Sequence, residues 1–140
     1  MNLSKNIKIQ KVRAYNNTAG TTNVNGTDVD FSNYDGVLFF GWMEKATATT
    51  NLNQLKVEQK DADGDYTALA GATAVCTEDD QVLAVDVYRP LESQGKVLRV
   101  VVDIATSTKY GDVYAILYNG RVKPEDIADI ATLVVSPETV

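Results

Sequence analysis

The sequence predicts an all-β domain, an antiparallel sandwich or barrel. Three observations carry this: abundant Val, Ile and Thr, runs in which apolar and polar residues alternate, and turn dipeptides spaced between those runs. β-Branched side chains have little χ1 freedom to lose on a pleated surface and more in a helix. With 140 residues, 44% hydrophobic and 23% charged, the chain is long and apolar enough for a single domain over 1–140 with a core of useful size.

Taken in order, Ile7 to Ala14 reads as the first strand, with a short one near Thr27 to Asp30. Asn25-Gly26 between them is a dipeptide favoured in two-residue hairpins. In Gly36-Val37-Leu38-Phe39-Phe40-Gly41-Trp42-Met43 both alternate sets are apolar, which predicts a central strand covered on both sides. Asn53 to Lys60 alternates, with Leu55 and Val57 inward and Gln54, Lys56 and Glu58 outward. After the Asp63-Gly64 turn come strands at Thr67 to Val75 and Gln81 to Tyr88. In Lys96 to Ile104, Leu98, Val100, Val102 and Ile104 form one face while Arg99 and Asp103 lie on the other. A last strand, Asp112 to Tyr118, closes at Asn119-Gly120. Pro124-Glu125-Asp126 starts a short C-terminal helix or turn, with Ile127 and Ile130 one helical step apart. Terminal arms are expected at 1–9 and at 133–140, the latter carrying the β-prone Leu133-Val134-Val135.

Absences narrow the function. With no His, the commonest general base and metal ligand is missing. One Cys, Cys76, forms neither an internal disulfide nor a Cys-rich zinc site, and its apolar neighbours suit a small buried hydrophobe. A formal charge of −6 opposes binding to phosphate backbones, so no nucleic-acid partner is expected. No apolar stretch reaches the roughly 18 to 20 residues that span a bilayer, and no secretory leader is read at Met1. We therefore expect no enzyme, no cofactor and no catalytic or metal site.

Several constellations have two readings. Asp61, Asp63 and Asp65 alternate as in a calcium loop, but Tyr66 and Ala72 stand where that loop needs Gly and Glu. A solvated hairpin tip with Gly64 at positive φ is favoured over a cation site. From Asp61 to Asp80 there are six acidic residues (with Glu78, Asp79 and Asp80) and no Lys or Arg, read as two exposed turns or as a docking edge for a basic surface. Tyr114 and Tyr118 share a strand face with Ile116, and together with Tyr110 suit a core wall or a subunit contact better than sugar stacking. Pro90 stops or bends the strand ending at Tyr88, and Arg89 has Asp86 or a neighbouring chain as partner. Arg99 and Asp103 share one face, as a solvent-facing pair or a subunit-contact element.

Four stretches resemble a group of small structural proteins of tailed bacteriophages, the capsid decoration or cement type: Met1-Asn2-Leu3-Ser4-Lys5-Asn6-Ile7-Lys8-Ile9, Tyr34-Asp35-Gly36-Val37-Leu38-Phe39, Leu83-Ala84-Val85-Asp86-Val87-Tyr88-Arg89-Pro90, and Val113-Tyr114-Ala115-Ile116 with Tyr118. The resemblance implies a virion protein made in the host cytoplasm. It would sit on the capsid surface as a homotrimer and stabilise the assembled shell by non-covalent contacts with the major capsid protein. A head-tail joining or tail-associated subunit is the alternative within the virion. A carbohydrate-binding β-sandwich is the alternative from another class, disfavoured here because Trp42 falls in the strand read as buried on both faces.

Overall fold

Alternation along each strand decides the architecture. The computed structural model describes residues 6–20, 22–47, 52–90, 95–105 and 108–120. In chain order the strands are β1 (Ile7–Arg13), β2 (Asn16–Gly20), β3 (Val24–Asn25), β4 (Val29–Asp30), β5 (Tyr34–Met43), β6 (Gln54–Lys60), β7 (Tyr66–Val75), β8 (Gln81–Tyr88), β9 (Val97–Asp103) and β10 (Thr108–Gly120). Sheet A has the order β1-β10-β5-β8, with β2 also paired to β10; sheet B has the order β3-β9-β6-β7, with β4 also paired to β9. Every pairing is antiparallel. The protein is an all-β sandwich, as the sequence predicts.

The core lies between the sheets. Val37, Phe39, Met43, Leu83, Val85, Val87, Val113, Ala115 and Leu117 come from sheet A, and Val29, Leu55, Val57, Leu98, Val100 and Val102 from sheet B. Each of these Val, Leu, Phe and Met side chains contributes on the order of 1.5–3 kcal/mol when fully buried. Leu55 and Val57 point inward as expected, and Leu98, Val100, Val102 and Ile104 are all buried. The fully buried Cys76 Sγ lies 3.1 Å from the Glu78 carbonyl, and burial pushes its thiol above the ordinary value.

One long side of the sandwich is closed by backbone. Asn25-Gly26 does not form the expected hairpin, because β3 and β4 run in the same direction along β9, Val24 opposite Val102 and Val29 opposite Leu98. Between them Gly26 N donates to the Val100 carbonyl (2.7 Å) and Thr27 N donates to the Val12 carbonyl of β1 (2.8 Å), so one link joins sheet B to sheet A. A β-carbon on Gly26 would stand 2.8 Å from Val100 Cγ1 and 3.2 Å from the Val12 oxygen, so the Val100 side chain would have to shift and the Val12 carbonyl to give slightly.

The other long side is open. Its margins are the edge strands β7 and β8, between which no ladder exists among the described residues. The β6–β7 register jumps from Lys56 opposite Thr73 to Glu58 opposite Ala68, so 69–72 bows out of the ladder at Gly71, whose φ is +78°.

Two further departures have local causes. β2 was not expected, since Asn16-Asn17-Thr18-Ala19-Gly20 has little β propensity; it exists because β10 starts at Thr108 and offers partners, Thr108 opposite Gly20 and Tyr110 opposite Asn16. Residues 7–9, expected within an N-terminal arm, are instead held in the β1 ladder, Ile7 opposite Tyr118 and Ile9 opposite Ile116. The expected C-terminal helix, the arm at 133–140 and residues 1–5 lie outside the described residues.

At one end of the sandwich the fully buried Asn53 ties distant loops together. Its Nδ2 donates to the Glu44 carbonyl (3.1 Å), its Oδ1 accepts from Ala105 N (2.8 Å), and its backbone carbonyl accepts from Cys76 N (2.8 Å). Gly26→Ala is expected to cost about 1–3 kcal/mol by overpacking, and Asn53→Ala about 1–3 kcal/mol by orphaning buried backbone groups. Urea unfolding with an unchanged m-value checks both.

Candidate functional site

The two outer faces of the sandwich differ in chemistry. On sheet B, Glu58 stands opposite Arg99 and Gln54 opposite Asp103, and these side chains are joined. Arg99 places Nε and Nη2 each 2.8 Å from Glu58 Oε1, with its guanidinium 3.6 Å from the centre of the Tyr66 ring. The Tyr66 hydroxyl donates to Asp28 Oδ1. Lys56 pairs with Asp103 at 3.3 Å and Gln54 Nε2 donates to the same carboxylate at 2.8 Å. Burial works against the charged form of Asp103, but the Gln54, Lys56 and Asn23 contacts outweigh it and hold the carboxyl below the ordinary aspartate value. Arg99 and Asp103 thus each find a partner on β6.

The outer face of sheet A is apolar and aromatic. Register places four rows across the strands: Ile7, Tyr118, Gly36 and Tyr88; Ile9, Ile116, Leu38 and Asp86; Lys11, Tyr114, Phe40 and Ala84; then Trp42 and Val82. Leu38, Phe40 and Trp42 are half-buried, whereas Val37, Phe39 and Met43 between them are in the core. This corrects the expectation that β5 is covered on both sides. β5 is central within its sheet, but a two-layer sandwich supplies cover to one face of each sheet. Val82 at 65% exposure and Tyr88 at 52% are the most open large apolar groups on this face.

Two ring pairs build the surface. Phe40 stacks on Tyr114 with centroids 5.8 Å apart, and the Tyr114 hydroxyl lies 3.2 Å from Asp112 Oδ2. Tyr118 lies across β5 because Gly36 has no side chain; a β-carbon there would stand 2.2 Å from Tyr118 Cζ, in collision with the ring. The ring reaches β8, where its hydroxyl donates to Asp86 Oδ1 (2.6 Å) and its plane lies 9° from that of Tyr88, centroids 6.3 Å apart. Burial, reinforced by the Asp86 hydrogen bond and charge, pushes the Tyr118 phenol well above the ordinary tyrosine value. Arg89 turns back at φ +48° and lies over the Tyr88 ring at 5.3 Å, and Asn119 Nδ2 donates to Asp35 Oδ2. Arg89 thus caps an aromatic ring.

Tyr110 does not join this face. The β10 register steps from Tyr110 opposite Met43 to Val113 opposite Gly41, and the extra residue turns Tyr110 into the core, where its hydroxyl accepts from Arg13 Nε (3.4 Å). The acidic stretch divides as well. Asp61, Asp63 and Asp65 occupy the β6–β7 turn, and Glu78, Asp79 and Asp80 the β7–β8 turn, at opposite ends of the ten-residue β7. Asp61 Oδ1 accepts from Asp63 N and Asp65 N, both at 2.9 Å, and so organises its own turn around Gly64 (φ +93°).

No family model matches the chain, and no curated protein matches its sequence. Among solved structures it is similar to the SPBc2 prophage-derived protein YomS, with a TM-score of 0.44 and 15% identity over 79% of this chain and 91% of that one. It is also similar to the CBM22-1–GH10 modules of Clostridium thermocellum xylanase 10B, solved with xylohexaose, with a TM-score of 0.47 and 12% identity over 87% of this chain. The similarity spans 26% of the xylanase chain.

The raised Tyr118 phenol makes stability fall with alkali. Below the ordinary tyrosine value near 10.0 the folded and unfolded phenols are both protonated. Above it the unfolded phenol ionises while the folded one keeps its proton, so the unfolded state gains. Tyr118→Phe is expected to reduce the drop in urea midpoint between about pH 9 and pH 11, measured against the unsubstituted protein.

Proposed function

We propose that this chain is a structural subunit of a tailed-phage virion, of the capsid decoration type, which adheres to the assembled shell through the outer face of sheet A and catalyses nothing. The contrast between the two outer faces carries the reading. Sheet B closes its polar side chains on one another, whereas sheet A leaves Trp42, Phe40, Tyr114, Tyr118, Tyr88 and Val82 in rows with little charge among them. Such a patch, rimmed by Lys11–Asp112 at one margin and Asp86 and Arg89 at the other, has the composition of a protein interface.

A second observation agrees. Where they are described, the stretches that resemble decoration proteins fall largely on β1 (from Ile7), β5, β8 and β10, the four consecutive strands of sheet A; residues 1–5 lie outside the described residues. Binding only the assembled shell would shift assembly toward that shell by mass action, and many copies would oppose the pressure of packaged DNA through small contacts.

The carbohydrate-binding reading gains one observation, since Trp42 lies on this outer face and not under two layers. The two readings separate experimentally. Purified protein is expected to co-sediment with shells assembled from the major capsid protein of the same genome and not with its unassembled subunits. Tyr88→Ala and Val82→Asp, both at exposed positions, should weaken shell binding by about tenfold or more while the far-ultraviolet circular dichroism of the sandwich is unchanged. Unaltered shell binding by both variants, or saturable glycan binding by the unsubstituted protein that Trp42→Ala abolishes, would overturn the proposal. So would loss of tails from particles stripped of this protein.

A further inference from the structure

Edge strands expose a row of unpaired backbone groups, and folded proteins blunt them with Lys, Pro, bulges or short length. β7 is blunted by its bow at Gly71. β8 has no Lys, Pro or bulge, and its single charged side chain is Asp86. It is eight residues long, Gln81-Val82-Leu83-Ala84-Val85-Asp86-Val87-Tyr88, and pairs with β5 in unbroken register from Met43 opposite Gln81 to Gly36 opposite Tyr88. Pro90 and the positive φ of Arg89 stand beyond its end. Among the described residues nothing pairs with its other side, which faces a groove bounded by residues 69–73 of β7. A β-carbon on Gly71 would meet nothing within 4 Å, so the groove is open there.

We propose that β8 is a homodimer seam, where the β8 strands of two copies pair antiparallel about a twofold axis at Val85 and make sheet A continuous through both. The pleat requires outer-face residues to meet outer-face residues, which leaves three central registers. Centred on Ala84, Val82 would face the partner's Asp86. Centred on Asp86, the two Asp86 carboxylates would face each other. Centred on Val85, Val82 faces the partner subunit's Tyr88 and Ala84 faces the partner subunit's Asp86. That register joins the two most exposed apolar side chains of the face, keeps carboxylate from carboxylate, and forms about six to eight backbone hydrogen bonds. The partner is a second copy because the strand matches itself in this way. The seam would double the breadth of the aromatic face, and it stands independently of what that face binds. It differs from the homotrimer that the phage resemblance implies.

Sedimentation equilibrium of the full chain tests the seam. A mass of two chains is expected, and a monomer up to about 1 mM or a trimer would overturn it. Ala84 is exposed, and in the Val85-centred register it meets a carboxylate twice by symmetry. Ala84→Asp should therefore weaken the dimer by about fivefold or more and Ala84→Lys should strengthen it. The same two charges at Ala62, on the distant β6–β7 turn, measure the general effect of net charge and should change the dissociation constant less than twofold. Ala84→Asp and Ala84→Lys acting in the same direction, or matching the Ala62 pair, would overturn the register and with it the proposal. Amide exchange gives an independent reading: alternate amides of β8 are expected to be protected in the dimer and to exchange rapidly in Ala84→Asp, and equal protection in both would overturn the seam.

Discussion

The hydrogen bonds from Gly26 and Thr27 to Val100 and Val12 set the form of this sandwich. They fasten β9 to β1 along one long side, so the two sheets share a fixed margin there. On the opposite margin β7 bows at Gly71 and, among the described residues, β8 ends sheet A without a paired neighbour. The closed side is built on a residue without a β-carbon. The open side is where the molecule has backbone and apolar surface left to offer.

A second asymmetry lies across the layers. Both sheets bury one face against the other, and the difference is in what they do with the remaining face. Sheet B consumes its charges internally, Arg99 on Glu58 and Tyr66, Lys56 and Gln54 on Asp103, leaving a surface well suited to water. Individual pairs of this kind add little stability, but they leave few unpaired charges to attract a partner. Sheet A spends its outer face on rings and aliphatic chains, and its Tyr118–Asp86 contact fixes one of those rings flat against the strand.

Much of the fold was legible because period-two alternation is a local signal. In Gln54 to Lys60 and Val97 to Asp103 one alternate set holds Leu55 and Val57, or Leu98, Val100 and Val102, all of them in the core, while the charged side chains fall in the other set. β2 was illegible because its pairing comes from the far end of β10 and not from its own residues. Asn25-Gly26 has the local chemistry of a hairpin, yet tertiary contact with Val12 outweighs it. Gly36-to-Met43 misled in a more instructive way. Two apolar sets signal cover on both faces in a three-layer fold; in a two-layer antiparallel sandwich one of the two sets lies on an outer face and is half-buried. Leu38, Phe40 and Trp42 were therefore visible as residues and misplaced as an environment. That Gly36 makes room for Tyr118, 82 positions later in the chain, has no local signature at all.

The extra residue in β10 near Gly111 and Asp112 separates two stretches of opposite phase, the first turning Tyr110 inward and the second turning Tyr114 and Tyr118 outward. It works as a frame marker for the pleat. Removing one residue there would leave the chain just as hydrophobic and just as β-prone, but would exchange the lining of the interior for the surface along everything that follows. Composition could not report such a lesion, and length would barely register it. Tolerance to insertions and deletions in this molecule should accordingly be lowest at a point that carries no large side chain of its own.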